Sequence, residues 1–147
     1  LALIGRTADK EFEGGLLAQA ALATVKDRVH FVGPQDCLVP LVDSLDLLLV
    51  PSVMESFGLA ALEAMLRGKA VVASNVGGLP ELVEHEKTGL VVIREPRVWA
   101  EAIASLLDSP ERRESMGREG RSRAKERFSV EAMVAGLESV YREAVQR

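Results

Sequence analysis

Five short apolar stretches set the terms for what this chain can fold into: Leu1–Ile4, Arg28–Val32, Leu47–Val50, Ala70–Ser74 and Leu90–Ile93. They read as strands covered on both faces, because a strand with one face in water alternates apolar and polar residues. The segments between them are long enough for helical crossovers. Strand–helix–strand repetition of this kind builds a parallel sheet with helices on both faces. Leu45–Val50 is interrupted by Asp46, and no run approaches the ~20 apolar residues that a bilayer span needs.

Helical spacing is expected over Glu11–Lys26, weakened at its start by Gly14 and Gly15, and over a short Leu38–Leu45 segment. Leu59–Leu66 is a clear helix that stops at Gly68. Leu79–Glu84 is a short one with Pro80 in its first turn, and Lys87–Gly89 forms a turn. After Ile93 the strands end. Val98–Leu107 is helical, Ser109-Pro110-Glu111 is a helix start, and Ser129 caps a last helix. In that helix Val130, Met133, Val134, Leu137, Val140 and Tyr141 form one apolar stripe. Pro110–Arg127 interleaves Arg, Lys and Glu, so it reads as a solvated face.

The 147 residues are one domain's length, enough to bury roughly 70% of the surface of the unfolded chain. With 48% apolar and 27% charged residues the composition is that of a soluble globular domain. The net charge of −4 argues against a nucleic-acid-binding domain. Cys37 is the single cysteine, so no internal disulfide can form; it is expected to be a small buried hydrophobe, and the cytoplasm is the expected compartment. The start on Leu1, already strand-like, suggests a piece of a longer protein. His30 and His85 have no metal-ligand partner at useful spacing, and no Asp-x-Asp pair is present. Walker A, Gly-x-Gly-x-x-Gly and Gly-x-Ser-x-Gly patterns are also missing, which weakens ATPase, dinucleotide-enzyme and hydrolase readings.

Ligands of open parallel sheets bind beyond the carboxyl ends of the strands. After Val50 comes Pro51-Ser52-Val53-Met54-Glu55-Ser56-Phe57-Gly58-Leu59, a loop that runs into a helix. A helix N-terminus offers free N–H groups and partial positive charge, suited to a diphosphate, and Gly58 lets a ligand approach the backbone. Ser56 is either an N-cap or a ligand contact. Glu63 is the only polar side chain in an otherwise apolar helix that reads as buried. It is either the acceptor for a pair of ribose hydroxyls or half of a buried salt bridge. Seven residues separate it from Ser56, nearly two turns and ~10 Å along one face. Glu55 either meets sugar hydroxyls and developing charge at an anomeric carbon or serves the helix dipole. Asn75-Val76-Gly77-Gly78-Leu79-Pro80-Glu81 repeats the strand–turn–helix pattern, as a ligand cradle or a tight structural turn.

Glu55-Ser56-Phe57-Gly58-Leu59 through Glu63-Ala64-Met65 resembles the Glu-x7-Glu motif of group 1, family 4, retaining GT-B glycosyltransferases. Gly68–Ser74, Gly77-Gly78-Leu79-Pro80-Glu81, Gly89–Val92, Arg28–Gly33 and Arg127-Phe128-Ser129 are similar to that family too, so the likeness covers nearly the whole chain. It implies an α/β, Rossmann-like, mostly parallel sheet with a helical C-terminal tail, the C-terminal half of a GT-B fold, spanning residues 1–147 as one domain. It implies a UDP-, GDP- or ADP-linked sugar as donor substrate, with no separate cofactor and no metal. In that likeness Glu55 contacts the transferred sugar and is the catalytic candidate, and Glu63 binds ribose. Backbone groups of Phe57, Gly58 and Leu59, with Ser56 beside them, hold the diphosphate or sugar, and Val32 and Gly33 lie by the nucleobase. The family's basic Arg and Lys pair is expected ahead of Leu1, which leaves Arg6 as a weak phosphate candidate. The acceptor-binding N-terminal domain is expected as the missing partner and as the only route to a membrane. A non-catalytic, glycosyltransferase-like binding module is the alternative reading, and a nucleotide-sugar epimerase of the same fold a third.

Overall fold

In the computed structural model, residues 1–5, 10–22 and 25–146 are described. The elements run β1 (Ala2–Ile4), α1 (Lys10–Leu22), a 3₁₀ turn at Lys26–Arg28, β2 (His30–Gly33), α2 (Val39–Ser44), β3 (Leu47–Val50) and α3 (Leu59–Leu66). Then follow β4 (Ala70–Ser74), α4 (Leu79–Leu82), β5 (Gly89–Val92), α5 (Pro96–Leu107), α6 (Pro110–Arg127) and α7 (Val130–Val145). The residues gather into two compact units, Leu1–Val39 and Pro40–Arg147.

In the first unit β1 and β2 pair in parallel, with Ala2 opposite His30 and Leu3 opposite Phe31 before the register shifts at Ile4. β2 departs from the sequence expectation. It alternates between exposed and half-buried positions and so is not covered on both faces. Cys37 is exposed rather than buried.

In the second unit β3, β4 and β5 form a parallel sheet in that order. All five residues of the middle strand β4 are buried, as a strand without alternation should be. Val71 and Ala73 pack toward Ala61, Ala64 and Met65 of α3 and toward Leu79 and Leu82 of α4. Ala70 and Val72 pack with Leu90 of β5, Ala102 and Leu106 of α5 and Met116 of α6. Helices therefore cover both faces, and the fold is α/β and Rossmann-like. Each fully buried leucine in these layers contributes about 1.5–3 kcal/mol of burial free energy.

The C-terminal helices depart in part from their sequence reading. α5 starts at Pro96, not Val98, with the proline in its first turn. Ser109 stands at the N-cap of α6, but its side chain makes no capping bond. α6 is solvated along most of its surface, as its charges suggest, but one seam enters the core: Met116, Gly117, Gly120 and Ala124 are buried. A Cβ on Gly117 would lie 2.0 Å from the Gly68 carbonyl oxygen, so α6 closes on the end of α3 through glycine. A charged surface pattern hides such a seam of small residues. Arg113 and Arg123 are half-buried beside that seam; they donate to the carbonyls of Leu106 and of Glu81 and Leu82. In α7, Ser129 accepts the Ala132 N–H at 3.1 Å, as its sequence predicts. The apolar stripe of α7 is present but uncovered, each of its six residues being between 44% and 69% exposed.

Candidate functional site

The loop from Pro51 to Gly58 leaves the carboxyl end of β3 and enters α3 through Gly58. Gly58 is the N-cap, in the left-handed region at φ 101°, and it caps without a side chain. Its carbonyl accepts the Leu62 N–H at 3.0 Å. A Cβ there would come within 2.7 Å of Leu79 Cδ2. Ser56 therefore is not the cap. It is exposed and two residues upstream, which leaves its hydroxyl available to a ligand. Phe57 turns an edge onto Phe128, with ring centroids 5.8 Å apart at 65°, and Arg123 sits over the far ring at 5.9 Å. Leu59 is exposed.

Glu63 corrects the sequence reading. α3 is not buried all round: Ala61, Ala64 and Met65 face the core, while Leu59, Glu63 and Leu66 lie on the open side. The helix reads as buried because alanine and leucine fill both its faces. The carboxylate of Glu63 is thus solvated, and among the described residues no hydrogen bond or ion pair to it is present. The buried salt-bridge alternative falls. What remains is a solvated acceptor without a protein partner among the described residues, on an apolar helix face one turn beyond a helix N-terminus. The partly buried Glu55 carboxylate has one weak contact, from the Ser52 hydroxyl at 3.5 Å.

The Gly77-Gly78 turn after β4 belongs to this loop's architecture. The Gly78 N–H donates to the Glu55 carbonyl at 3.1 Å. Nothing local in the sequence announces a contact between segments twenty residues apart. The opposite end of α3 is fixed separately. Arg67 donates through both Nε, at 2.6 Å, and Nη2 to the Asp43 carboxylate, and Lys69 Nζ donates to the Asp43 carbonyl at 2.7 Å. The Arg67 hydrogen bond holds the Asp43 carboxyl below the usual carboxylate range.

In the first unit, Val32 and Gly33 end β2. The Val32 carbonyl accepts from Gln35 Nε2 at 3.2 Å, and the Gly33 carbonyl from the Gly5 N–H at 3.0 Å. A cavity of about 360 Å³ opens there, bordered by Ile4, Gly5, Phe31, Gly33 and Pro34. Arg6 lies outside the described residues. His85 is structural, its Nδ1 accepting the Val91 N–H at 3.0 Å. No cluster of three or more metal-ligating side chains occurs among the described residues.

The family model for group 1 glycosyl transferases matches residues 1–123. This chain belongs to that family. It is 42% identical over 124 residues to D-inositol 3-phosphate glycosyltransferase of Corynebacterium glutamicum, a match that covers 82% of this chain and 29% of the relative. Against N-acetyl-alpha-D-glucosaminyl L-malate synthase of Bacillus anthracis it is 37% identical over 118 residues, 80% of this chain and 31% of the relative. The chain thus spans about three tenths of the length of these curated relatives. The crystal structure of Anabaena Alr3699/HepE in complex with UDP superposes with a TM-score of 0.89 at 27% identity, covering 97% of this chain and 40% of that one. The same protein has been solved with UDP-glucose. The group 1 glycosyltransferase domain therefore has the GT-B Rossmann-like half fold. Among the described residues, no helix is long and apolar enough to cross a membrane.

Proposed function

We propose that this domain binds a nucleotide-diphosphate sugar, and that the full-length protein transfers the sugar to an acceptor with retention of anomeric configuration. The observation that carries this is the free, solvated carboxylate of Glu63 on α3, a helix whose N-terminus has only a glycine cap. The first-turn N–H groups and the helix dipole attract the diphosphate. Glu63 accepts from the ribose hydroxyls, and Glu55 faces the transferred sugar at the helix entrance. In the first unit, Val32 and Gly33 at the end of β2 are the residues we assign to the nucleobase. That Alr3699/HepE was solved with UDP and UDP-glucose supports a uridine donor.

In the transfer itself, the acceptor hydroxyl attacks the anomeric carbon from the side the diphosphate leaves. The new C–O bond forms as the bond to phosphate breaks, and the acceptor's proton passes to the departing phosphate oxygen. Glu55 stabilises positive charge building at the anomeric carbon. No cofactor or metal takes part, and activity is expected to survive EDTA. An N-terminal domain supplies the acceptor site and any membrane contact. The cytoplasm is the compartment.

The test is calorimetric titration of the full-length protein with UDP, GDP and ADP and then their sugar conjugates. Saturable binding of one nucleotide is expected, weakened about tenfold, ~1.4 kcal/mol, by Glu63→Ala. Unchanged affinity in Glu63→Ala removes the ribose role. Donor binding without transfer would favour a non-catalytic module.

A further inference from the structure

Four backbone relations tie the β4–α4 turn to the loop that carries Glu55. Gly77 holds φ +52°, and a Cβ on it would fall 1.7 Å from the Glu55 carbonyl oxygen. A Cβ on Gly78 would fall 2.5 Å from the Ser56 carbonyl oxygen and 3.1 Å from Phe57 Cα. The Gly78 N–H donates to the Glu55 carbonyl at 3.1 Å. One residue on, fully buried Leu79 supports left-handed Gly58 from below. The atoms a larger residue would strike are backbone atoms of Glu55, Ser56 and Phe57, which have no rotamer through which to yield. Gly78 itself sits at φ −77°, a conformation open to any residue, so its requirement is purely one of space.

We propose that Gly77 and Gly78 are positioning residues for the donor loop: they set the backbone of Glu55–Phe57 so that the Glu55 carboxylate meets the transferred sugar. The pair does not cradle the ligand; it fixes the segment that does. Glu63 stands apart from this device, because its half of α3 is held by buried Ala61, Ala64 and Met65. Displacing the turn therefore weakens the sugar end of the donor more than the ribose end. This inference rests on the donor-binding reading above.

The experiment compares wild type, Gly78→Ala and Gly117→Ala of the full-length protein by titration with UDP and with UDP-glucose. Gly117 is the control. It is just as crowded, with a Cβ 2.0 Å from the Gly68 carbonyl oxygen, but it abuts the residue beyond the other end of α3. Gly78→Ala is expected to lower the affinity for UDP-glucose at least about tenfold, ~1.4 kcal/mol, more than that for UDP. Gly117→Ala lowers the melting temperature and leaves the ratio of the two affinities unchanged. An unchanged ratio in folded Gly78→Ala overturns the positioning role. Should Gly78→Ala not fold, amide exchange in wild type decides. UDP-glucose should slow the Gly78 amide together with those of residues 55–58, and a Gly78 amide indifferent to UDP-glucose overturns the proposal. Failure of wild type to bind any nucleotide sugar overturns the donor reading instead, and is told apart from both.

Discussion

Two adjacent strands end in loops written alike, and the two loops are built in opposite ways. After β3, as after β4, the chain passes through a glycine-containing turn into a helix that starts within nine residues. The first loop leaves Met54, Ser56 and Leu59 exposed and opens an eight-residue helix with Glu63 on its free side. The second buries Leu79 and Leu82, starts a helix of only four residues, and pushes glycine against the first. Strand–glycine–helix grammar thus identifies the carboxyl edge of the sheet but not which turn meets ligand. Under the proposed donor-binding role, exposure and helix length mark the first loop as the presenter and the second as the buttress.

The sharpest way to break that division is to hollow out the buttress. Leu79→Ala removes a fully buried side chain from beneath Gly58 and should cost about 2–5 kcal/mol of stability in chemical denaturation. The presenter should respond in the other currency. Glu55→Ala is expected to reduce the transfer rate about 10²–10³-fold, roughly 3 kcal/mol of transition-state stabilisation, with the denaturation midpoint unchanged. If Glu55→Ala instead destabilised the fold, the two loops would not differ in kind.

Smaller effects sharpen the same contrast. Ser56 is not a helix cap, so Ser56→Ala should change stability by less than about 0.5 kcal/mol, where loss of a true N-cap costs about 1. A loss of the larger size would move the cap back to Ser56. The smallest effect belongs to the far end of α3. The Asp43 carboxyl is held low by Arg67, so its contribution to stability is present above the ordinary carboxylate pKa of about 4 and is lost as pH falls through the lowered value. Asp43→Asn should melt slightly lower than wild type at neutral pH, converge with it in acid, and bind donor nucleotide unchanged throughout. A shifted affinity would mean that the tether at Arg67 also shapes the helix entrance.

Much of this was legible in the residues. β3, β4 and α3 begin and end where the pattern puts them, because apolar runs bounded by glycine and proline carry both burial and length, and α6 does so through the start signal at Ser109-Pro110. The Glu-x7-Glu spacing located the candidate site. Besides β2 and Cys37, three features of the second unit escaped. Glu63 reads as buried because alanine does not reveal which side of a helix meets the core. The buried seam of α6 is hidden because much of it is Gly117, Gly120 and Ala124, residues with almost no hydrophobic signal. The turn at Gly77-Gly78 reads as ordinary because its partner is far away in sequence and is backbone, which no side-chain pattern encodes.

The uncovered face of α7 has a calorimetric consequence. Unfolding raises the heat capacity in proportion to the apolar surface newly wetted, ordinarily about 12–15 cal/mol/K per residue. Six apolar side chains between Val130 and Tyr141 are already largely wet in the folded domain and have less left to expose than buried ones. The isolated domain should therefore unfold with a heat-capacity increment, and a urea dependence, below the norm for its length. Its stability curve should be correspondingly flat, changing little between a cold room and a warm bench.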